Sequence, residues 1–331
     1  MIALLDADVI TYRAGYASQH NLYRIYDGED RVEEFTEKKL ATAYVTEHST
    51  QARPLSIETE TEIEPLANCL HNVKEIIEKC VAETKSSDYQ CWLSPKKGNF
   101  REEIAETLPY KGHRWSPKRR AQEYRKGKWR KWLIETEGTY TYQPKPYHYD
   151  AIREYLVKRH AAKIAEGQEA DDALGIAQIR AFKGRKYEQK NCKSVVCSID
   201  KDLRMIPGMH YDWTKGELVF VNEFEAAYNF YFQLLTGDRT DNVPGLPAAA
   251  EATRVLYEIK ASKGVGPATA SAILAGCETI AELRYATKEA YFAYFAENKQ
   301  WSKTDEYMLE QARLLWIRRK PKEMFTFGES I

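Results

Sequence analysis

No stretch of this 331-residue chain approaches the roughly 20 consecutive apolar residues that a membrane helix needs. The chain opens on Met1-Ile2-Ala3-Leu4-Leu5 with no basic-then-apolar leader, so a secretory signal is not expected. It also lacks any C-x-x-C pair: Cys69, Cys80, Cys91, Cys192, Cys197 and Cys277 stand apart, mostly in apolar surroundings. Reduced, buried thiols are expected rather than disulfides or zinc. There is no internal repeat. Nor is there a net charge, with 49 basic residues against 49 acidic ones.

That neutrality is not uniform. Lys111 to Lys131 holds ten basic residues and one acidic residue, Glu123, a net +9, so the rest of the chain carries −9. A basic arm on an acidic remainder suits a protein that holds metal in one place and phosphates in another. The acidic side is organised. Carboxylates cluster at Leu4-Leu5-Asp6-Ala7-Asp8, Glu169-Ala170-Asp171-Asp172, Ser198-Ile199-Asp200-Lys201-Asp202 and Gly237-Asp238-Arg239-Thr240-Asp241-Asn242. Each lies beside an apolar run or a turn signal, where an unpaired charge is costly. Hard divalent cations with oxygen ligands would relieve that cost.

The apolar pattern predicts a strand over residues 1–5 and a hairpin turning at Asp27-Gly28. Residues 50–64 read as an acidic loop and 65–83 as an amphipathic helix. Strands follow at 89–93, 193–199, 209–213 and 217–221, with helices at 147–162 and 168–182. Residues 96–146 are charged, with little core-forming pattern. Alternating strands and helices predict an α/β domain with a largely parallel sheet. The texture changes to short helices near Thr236, which places a domain boundary there.

In an open α/β sheet, ligands bind at the carboxyl ends of strands. Asp6 and Asp200 directly follow apolar strands. Asp200 and Asp202 are two apart, on one side of an extended chain. Glu169 and Asp172 are three apart, on one helix face. Each cluster alone also has a plain structural reading: acids favoured in a first helical turn, a solvated loop, a turn with an N-cap. Two metal ions held by such carboxylates can clamp a phosphodiester. Lys111 and Arg114, in Tyr110-Lys111-Gly112-His113-Arg114, could neutralise the phosphate, or belong to a solvated basic stretch.

These motifs, in this order along nearly the whole chain, resemble the 5′ nuclease (flap endonuclease) superfamily, and most of all its phage-encoded 5′-to-3′ exonucleases. The matching residues are Asp6, Tyr110-Lys111-x-x-Arg114, Glu169-x-Asp171-Asp172, Asp200-x-Asp202 and Gly237-Asp238-x-x-Asp241-Asn242-Val243-Pro244-Gly245. The resemblance implies a PIN-like α/β core over residues 1–235 and a helical arch over about 96–146. It implies a helix–hairpin–helix type module for duplex DNA over 236–331. Asp6, Glu169, Asp171, Asp172, Asp200, Asp202, Asp238 and Asp241 would match the metal ligands, for Mg²⁺ or Mn²⁺. Lys111 and Arg114 would match the arch residues on the scissile phosphate. The substrate would be DNA with a free 5′ end, as a duplex end, nick, gap or flap, with RNA–DNA hybrids as a further one. If phage-encoded, as the resemblance suggests, the protein would work in the cytoplasm of a bacterial host.

From the charges themselves, Lys118, Arg119, Arg120, Arg125, Lys126, Lys128, Arg130 and Lys131 could track a phosphate backbone. Trp115, Tyr124 and Trp129 could stack on unpaired bases. The other reading is a solvated helix whose tryptophans pack on the core. Lys263-Gly264-Val265-Gly266-Pro267 offers backbone N–H groups to phosphate, and the resemblance adds a monovalent cation such as K⁺ there. Arg318, Arg319, Lys320 and Lys322 offer further phosphate contacts or a solvated tail. Two features depart from the family pattern. Ser94 stands where an Asp is usual after the second strand, and residues 248–262 separate the Val-Pro-Gly turn from the hairpin. Two rival readings follow: a non-catalytic DNA-binding protein on the same fold, and a small PIN-type ribonuclease.

Overall fold

The computed structural model describes residues 1–260 and 264–328. Lys263 of the expected hairpin, Ala261 and Ser262 of the intervening stretch, and residues 329–331 lie outside the described residues. In chain order the elements are β1 (Ile2–Asp6), α1 (Ala7–Ala17), β2 (Gln19–Asp27), β3 (Asp30–Phe35), α2 (Lys38–His48), β4 (Leu55–Ile63), α3 (Leu66–Glu83) and β5 (Asp88–Leu93). Then come α4 (Phe100–Ile104), α5 (Pro117–Lys126), α6 (Arg130–Glu135), α7 (Tyr149–His160), β6 (Lys163–Ile164), α8 (Ala170–Ala181), β7 (Ser194–Cys197), β8 (Gly208–Asp212) and β9 (Glu217–Val221). Helices α9 (Glu223–Thr236), α10 (Glu251–Leu256), α11 (Pro267–Ile273), α12 (Ile280–Glu297) and α13 (Thr304–Leu315) complete the described chain.

The described residues divide into two compact units. One comprises Met1–Asp8, Lys79–Pro144 and Ala162 onward; the other comprises Val9–Glu78 and Lys145–Ala161. The first unit carries a six-stranded sheet in the order β6-β5-β1-β7-β8-β9. All neighbours in it are parallel except β8 and β9. This is the largely parallel α/β core expected from the sequence. Strand β1 is central because it is apolar throughout: Ala3, Leu4 and Leu5 are at most 2% exposed. The chain leaves it for β5 on one side and β7 on the other, which makes the carboxyl end of β1 a topological switch point. A large core gathers Phe230, Tyr231 and Leu234 of α9 with Ile273, Leu283, Tyr291, Met308, Trp316 and Phe325, so residues on both sides of 236 share it.

The second unit holds a three-stranded antiparallel sheet, β3-β2-β4. The hairpin turns at Asp27-Gly28 as its glycine predicts, with Gly28 at φ +63°. Residues 50–64 correct the sequence reading, because most of this expected loop is β4, paired with β2 along its length. Leu55, Ile57, Thr59, Thr61 and Ile63 alternate with Ser56 and three glutamates. That period-two pattern outweighs the acidic composition.

Candidate active site

Four parts of the first unit bring the expected residues to the carboxyl edge of the parallel sheet, the ends of the paired strands β1 and β7 forming the first. Strand β1 ends on Asp6, whose Oδ2 accepts the Ser198 hydroxyl at 2.7 Å just past β7. The Ser198 Oγ in turn accepts the Asp200 backbone N–H at 3.0 Å. One small side chain thus ties the ends of two neighbouring strands and sets the Asp200-Lys201-Asp202 turn. Asp200 caps that turn by accepting the Asp202 N–H at 2.9 Å.

Helix α8 delivers the second segment. Glu169 is its N-cap and forms a reciprocal capping box with Asp172. The loop after α9 delivers the third. Gly237 and Gly245 both take positive φ and lie against one another's backbone, where a Cβ on either would meet backbone atoms at 2.3 Å. The bridge between Asp238 and Val243 closes this loop, and Asp238 Oδ1 accepts the Thr240 N–H at 2.7 Å. The loop docks on the segment entering the basic arm: Asn242 Nδ2 donates to Pro109 O at 2.9 Å, and Lys111 N donates to Asp241 O at 2.8 Å. That segment is the fourth. Tyr110 OH lies 2.8 Å from Glu169 Oε2 and 2.7 Å from Asp241 Oδ2. Lys111 pairs with Glu169 and stands 3.5 Å from Asp241, and Arg114 stands 3.1 Å from Asp241.

The electrostatics reflect this crowding. Burial, then the charges of Asp6, Asp200 and Glu169, push the Asp171 carboxyl well above the usual carboxylate range. Burial, then Asp200 and Asp238, push Asp202 up to about 7. Burial also works against Glu169, but Lys111 and Arg101 outweigh it and bring its pKa down to about 2. Burial raises Asp241 despite the opposing pull of Lys111 and Arg114. Burial works against the charge on Lys111 as well, yet Glu169 and Asp241 hold its pKa above the ordinary lysine value. The charges of Asp6, Glu169 and Asp200 thus meet at Asp171, and those of Asp200 and Asp238 at Asp202. All are hard oxygen donors, the set that suits Mg²⁺ or Mn²⁺. As they stand, no three His, Cys, Asp or Glu side chains among the described residues are gathered tightly enough to hold an ion. Tyr110, Lys111 and Arg114 occupy part of their oxygens instead.

Several expected residues are placed elsewhere. Asp172 is fully buried and saturated. Its oxygens accept Arg101 Nη1 and Nη2 at 2.6 and 2.9 Å, the Glu169 N–H at 3.1 Å and the Arg318 N–H at 3.0 Å. Its carboxylate is thereby held in a buried ion pair, with a donor on every acceptor position. Arg120 is also withdrawn from the expected phosphate track. It is 6% exposed, lies over the Tyr140 ring at 4.0 Å, and donates to Leu133 O at 3.1 Å. Trp115 packs with Trp132 and Leu133 in a small core of the arm, where it cannot stack on a base. Arg318 and Arg319 are each 7% exposed and bond to Glu323 O and Met205 O, so neither is a solvated tail residue.

Of the remaining arm residues, Arg119 pairs with Glu102, Lys126 with Glu123, Lys128 with Glu106, and Lys131 with Glu135. Arg130 lies over the Tyr124 ring, and Lys118 and Arg125 are exposed. Gly264 and Gly266 precede α11, a helix of seven residues. Ser94 Oγ accepts the Ala170 N–H at 2.9 Å, and the Ser94 N–H bonds Asp8 at 2.8 Å. The position of the usual carboxylate thus links β5 to the start of α8.

Sequence reasoning quoted Tyr110 and Ser198 inside its motifs without giving either a role, and it passed over Arg101. The Asp172 partner of Arg101 and the Asp6 partner of Ser198 lie 71 and 192 residues away, beyond any local signal.

No family model and no curated protein matches this chain. Among solved structures, it is similar to the T5 D15 protein co-crystallised with metal ions, at 12% identity over 95% of each chain and a TM-score of 0.41. It is similar in like degree to the bacteriophage T5 D15 flap endonuclease in a pseudo-enzyme-product complex with DNA and metal ions. There the identity is 12%, the coverage 94% of this chain and 98% of that one, and the TM-score 0.41. Overlap and identity of this degree carry no inference about activity, so the chemistry rests on the residues described above.

Proposed function

We propose that this protein is a divalent-metal-dependent 5′-to-3′ nuclease acting on DNA with a free 5′ end, with exonuclease or flap endonuclease action. RNA paired to DNA would be a further substrate. The observation that carries this reading is the convergence of Asp6, Glu169, Asp171, Asp200, Asp202, Asp238 and Asp241, from four separate segments, beside Lys111 and Arg114. So many carboxylates brought near one another call for more positive charge than Lys111 and Arg114 supply.

Asp6, Asp171 and Asp200, with Glu169, would hold one ion; Asp202, Asp238 and Asp241 would contribute to a second. When bound, such ions neutralise the phosphate and activate water. The chain's own residues do the rest. Lys111 and Arg114 bind the non-bridging phosphate oxygens and offset charge that grows in the transition state. Tyr110 orients Glu169 and Asp241. Ser198 fixes Asp6 against Asp200. Lys118, Arg125 and other exposed arm residues would follow the DNA backbone, and residues 236–331 would hold duplex, with Gly264 and Gly266 facing phosphate and K⁺ beside them. A role in phage-type DNA replication or recombination, in the host cytoplasm, follows from the same reading. Among the described residues no helix is long and apolar enough to cross a membrane.

The test is cleavage of 5′-labelled duplex, nicked duplex and 5′-flap DNA with Mg²⁺, with Mn²⁺ and with EDTA, using wild type and Asp171→Asn. Metal-dependent release from the 5′ end, lost in Asp171→Asn while DNA binding persists, is the expected outcome. The second reading is a non-catalytic DNA-binding protein. It is favoured by Ser94, a hydroxyl where the family pattern has a carboxylate, and by the saturation of Asp172. Binding without cleavage under every metal condition would establish it.

A further inference from the structure

The expected metal-binding carboxylates already have a cation among them. Lys111 Nζ is shared between Glu169 Oε1 and Asp241 Oδ2. Its backbone is fixed independently of that contact. The residue sits at φ 53°, in the left-handed region that a lysine rarely adopts, and its N–H donates to the Asp241 carbonyl at 2.8 Å. Tyr110 spans the same two carboxylates from the preceding position. Phenol and ammonium from two consecutive residues are therefore trained on one carboxylate pair, and the backbone is tied to the Asp241 carbonyl.

We infer that Lys111 is a built-in counter-cation for Glu169 and Asp241, which a divalent ion must displace and whose displacement frees the ammonium for the substrate phosphate. This rests on the metal-site reading above. An ammonium and a divalent ion compete for the same lone pairs, and they repel each other at close range. The backbone anchor on Asp241 stays in place while the four-carbon stem swings, so the exchange needs only side-chain rotation. In the absence of DNA, metal affinity is held below what the carboxylate count would support. A phosphate that captures Lys111 strengthens metal binding, and metal strengthens phosphate binding by the same factor.

The experiment is calorimetric titration of the full chain with Mn²⁺ at fixed pH without DNA. It compares wild type, Lys111→Met, Lys111→Gln and Asp171→Asn, with far-UV circular dichroism as the folding control. Both Lys111 variants are expected to bind Mn²⁺ roughly tenfold more tightly than wild type, the scale of one displaced charge-assisted contact. A 5′-phosphorylated dinucleotide should tighten Mn²⁺ binding to wild type by a larger factor than to Lys111→Met. If wild type binds Mn²⁺, Asp171→Asn weakens it, and the folded Lys111 variants bind equally or more weakly, the counter-cation role is wrong and the metal site stands. If wild type binds no Mn²⁺, or Asp171→Asn binds as tightly, the metal-site reading falls and this inference with it.

Discussion

Removing Arg101 tests what the structure says of Asp172. The guanidinium is 2% exposed and the carboxylate 0% exposed. Arg101 makes two bonds to Asp172 and one each to Leu314 O and Trp316 O, at 2.6 to 2.9 Å. Arg101→Met keeps the apolar stem of the side chain and strips all four. It leaves a buried carboxylate with only the Glu169 and Arg318 N–H groups. Breaking a buried pair from one side costs roughly 3–5 kcal/mol, and the two carbonyls left without donors add to it. Asp172→Asn should cost a comparable roughly 2–4 kcal/mol, because its amide would turn a donor toward donors. The double variant Arg101→Met/Asp172→Leu removes both charges. It should fall short of the summed single costs by roughly 2 kcal/mol or more. Urea denaturation of the four proteins measures the cycle, and calorimetric Mn²⁺ titration adds the decisive contrast. Asp172→Asn should lose stability and keep Mn²⁺ affinity, whereas Asp171→Asn should do the reverse. Additive single costs, or a fully stable Asp172→Asn that no longer binds Mn²⁺, would refute the structural assignment.

Three further outcomes are expected. Burial holds the His210 pKa down at about 4, with Nε2 2.7 Å from Ile206 O. The neutral ring's contribution, about 3 kcal/mol against an unfolded value near 6.5, is present above pH 6.5 and lost as pH falls toward 4. Denaturation of wild type against His210→Gln across that range should show the difference closing. Gly245→Ala places a Cβ 2.3 Å from Gly237 N at φ +68°, with only backbone to yield. It should cost more than about 1 kcal/mol and reduce turnover by shifting Asp238 and Asp241; thermal melts with single-turnover assays check both. Lys118→Ala should reduce the slope of log K against log salt for DNA by about 0.9, whereas Arg120→Ala should leave the slope unchanged and loosen the arm, read by filter binding and limited proteolysis.

The α/β class, the central apolar strand and the positions of Asp6, Asp171, Asp200 and Asp241 were legible because each has a local cause. A run of apolar residues must be buried, and a carboxylate ending such a run sits at the sheet's edge. The turn around Asp238 and Asp241 was readable from its Gly, Asp and Asn residues, but the close crossing of Gly237 and Gly245 was not. The sequence could not separate Asp171 from Asp172, adjacent acids in one helical turn. One faces other carboxylates, and the other is claimed by an arginine 71 positions earlier. Nor could it show that Arg120 and Arg318 are buried, because like composition serves a solvated face and a buried ion pair alike. The sequence alone determined which residues carry charge, which runs must be buried and where the chain must turn. Tertiary structure decided which charges meet, because pairing and burial are set by residues far along the chain, and only there does the same aspartate become a ligand candidate or a strut.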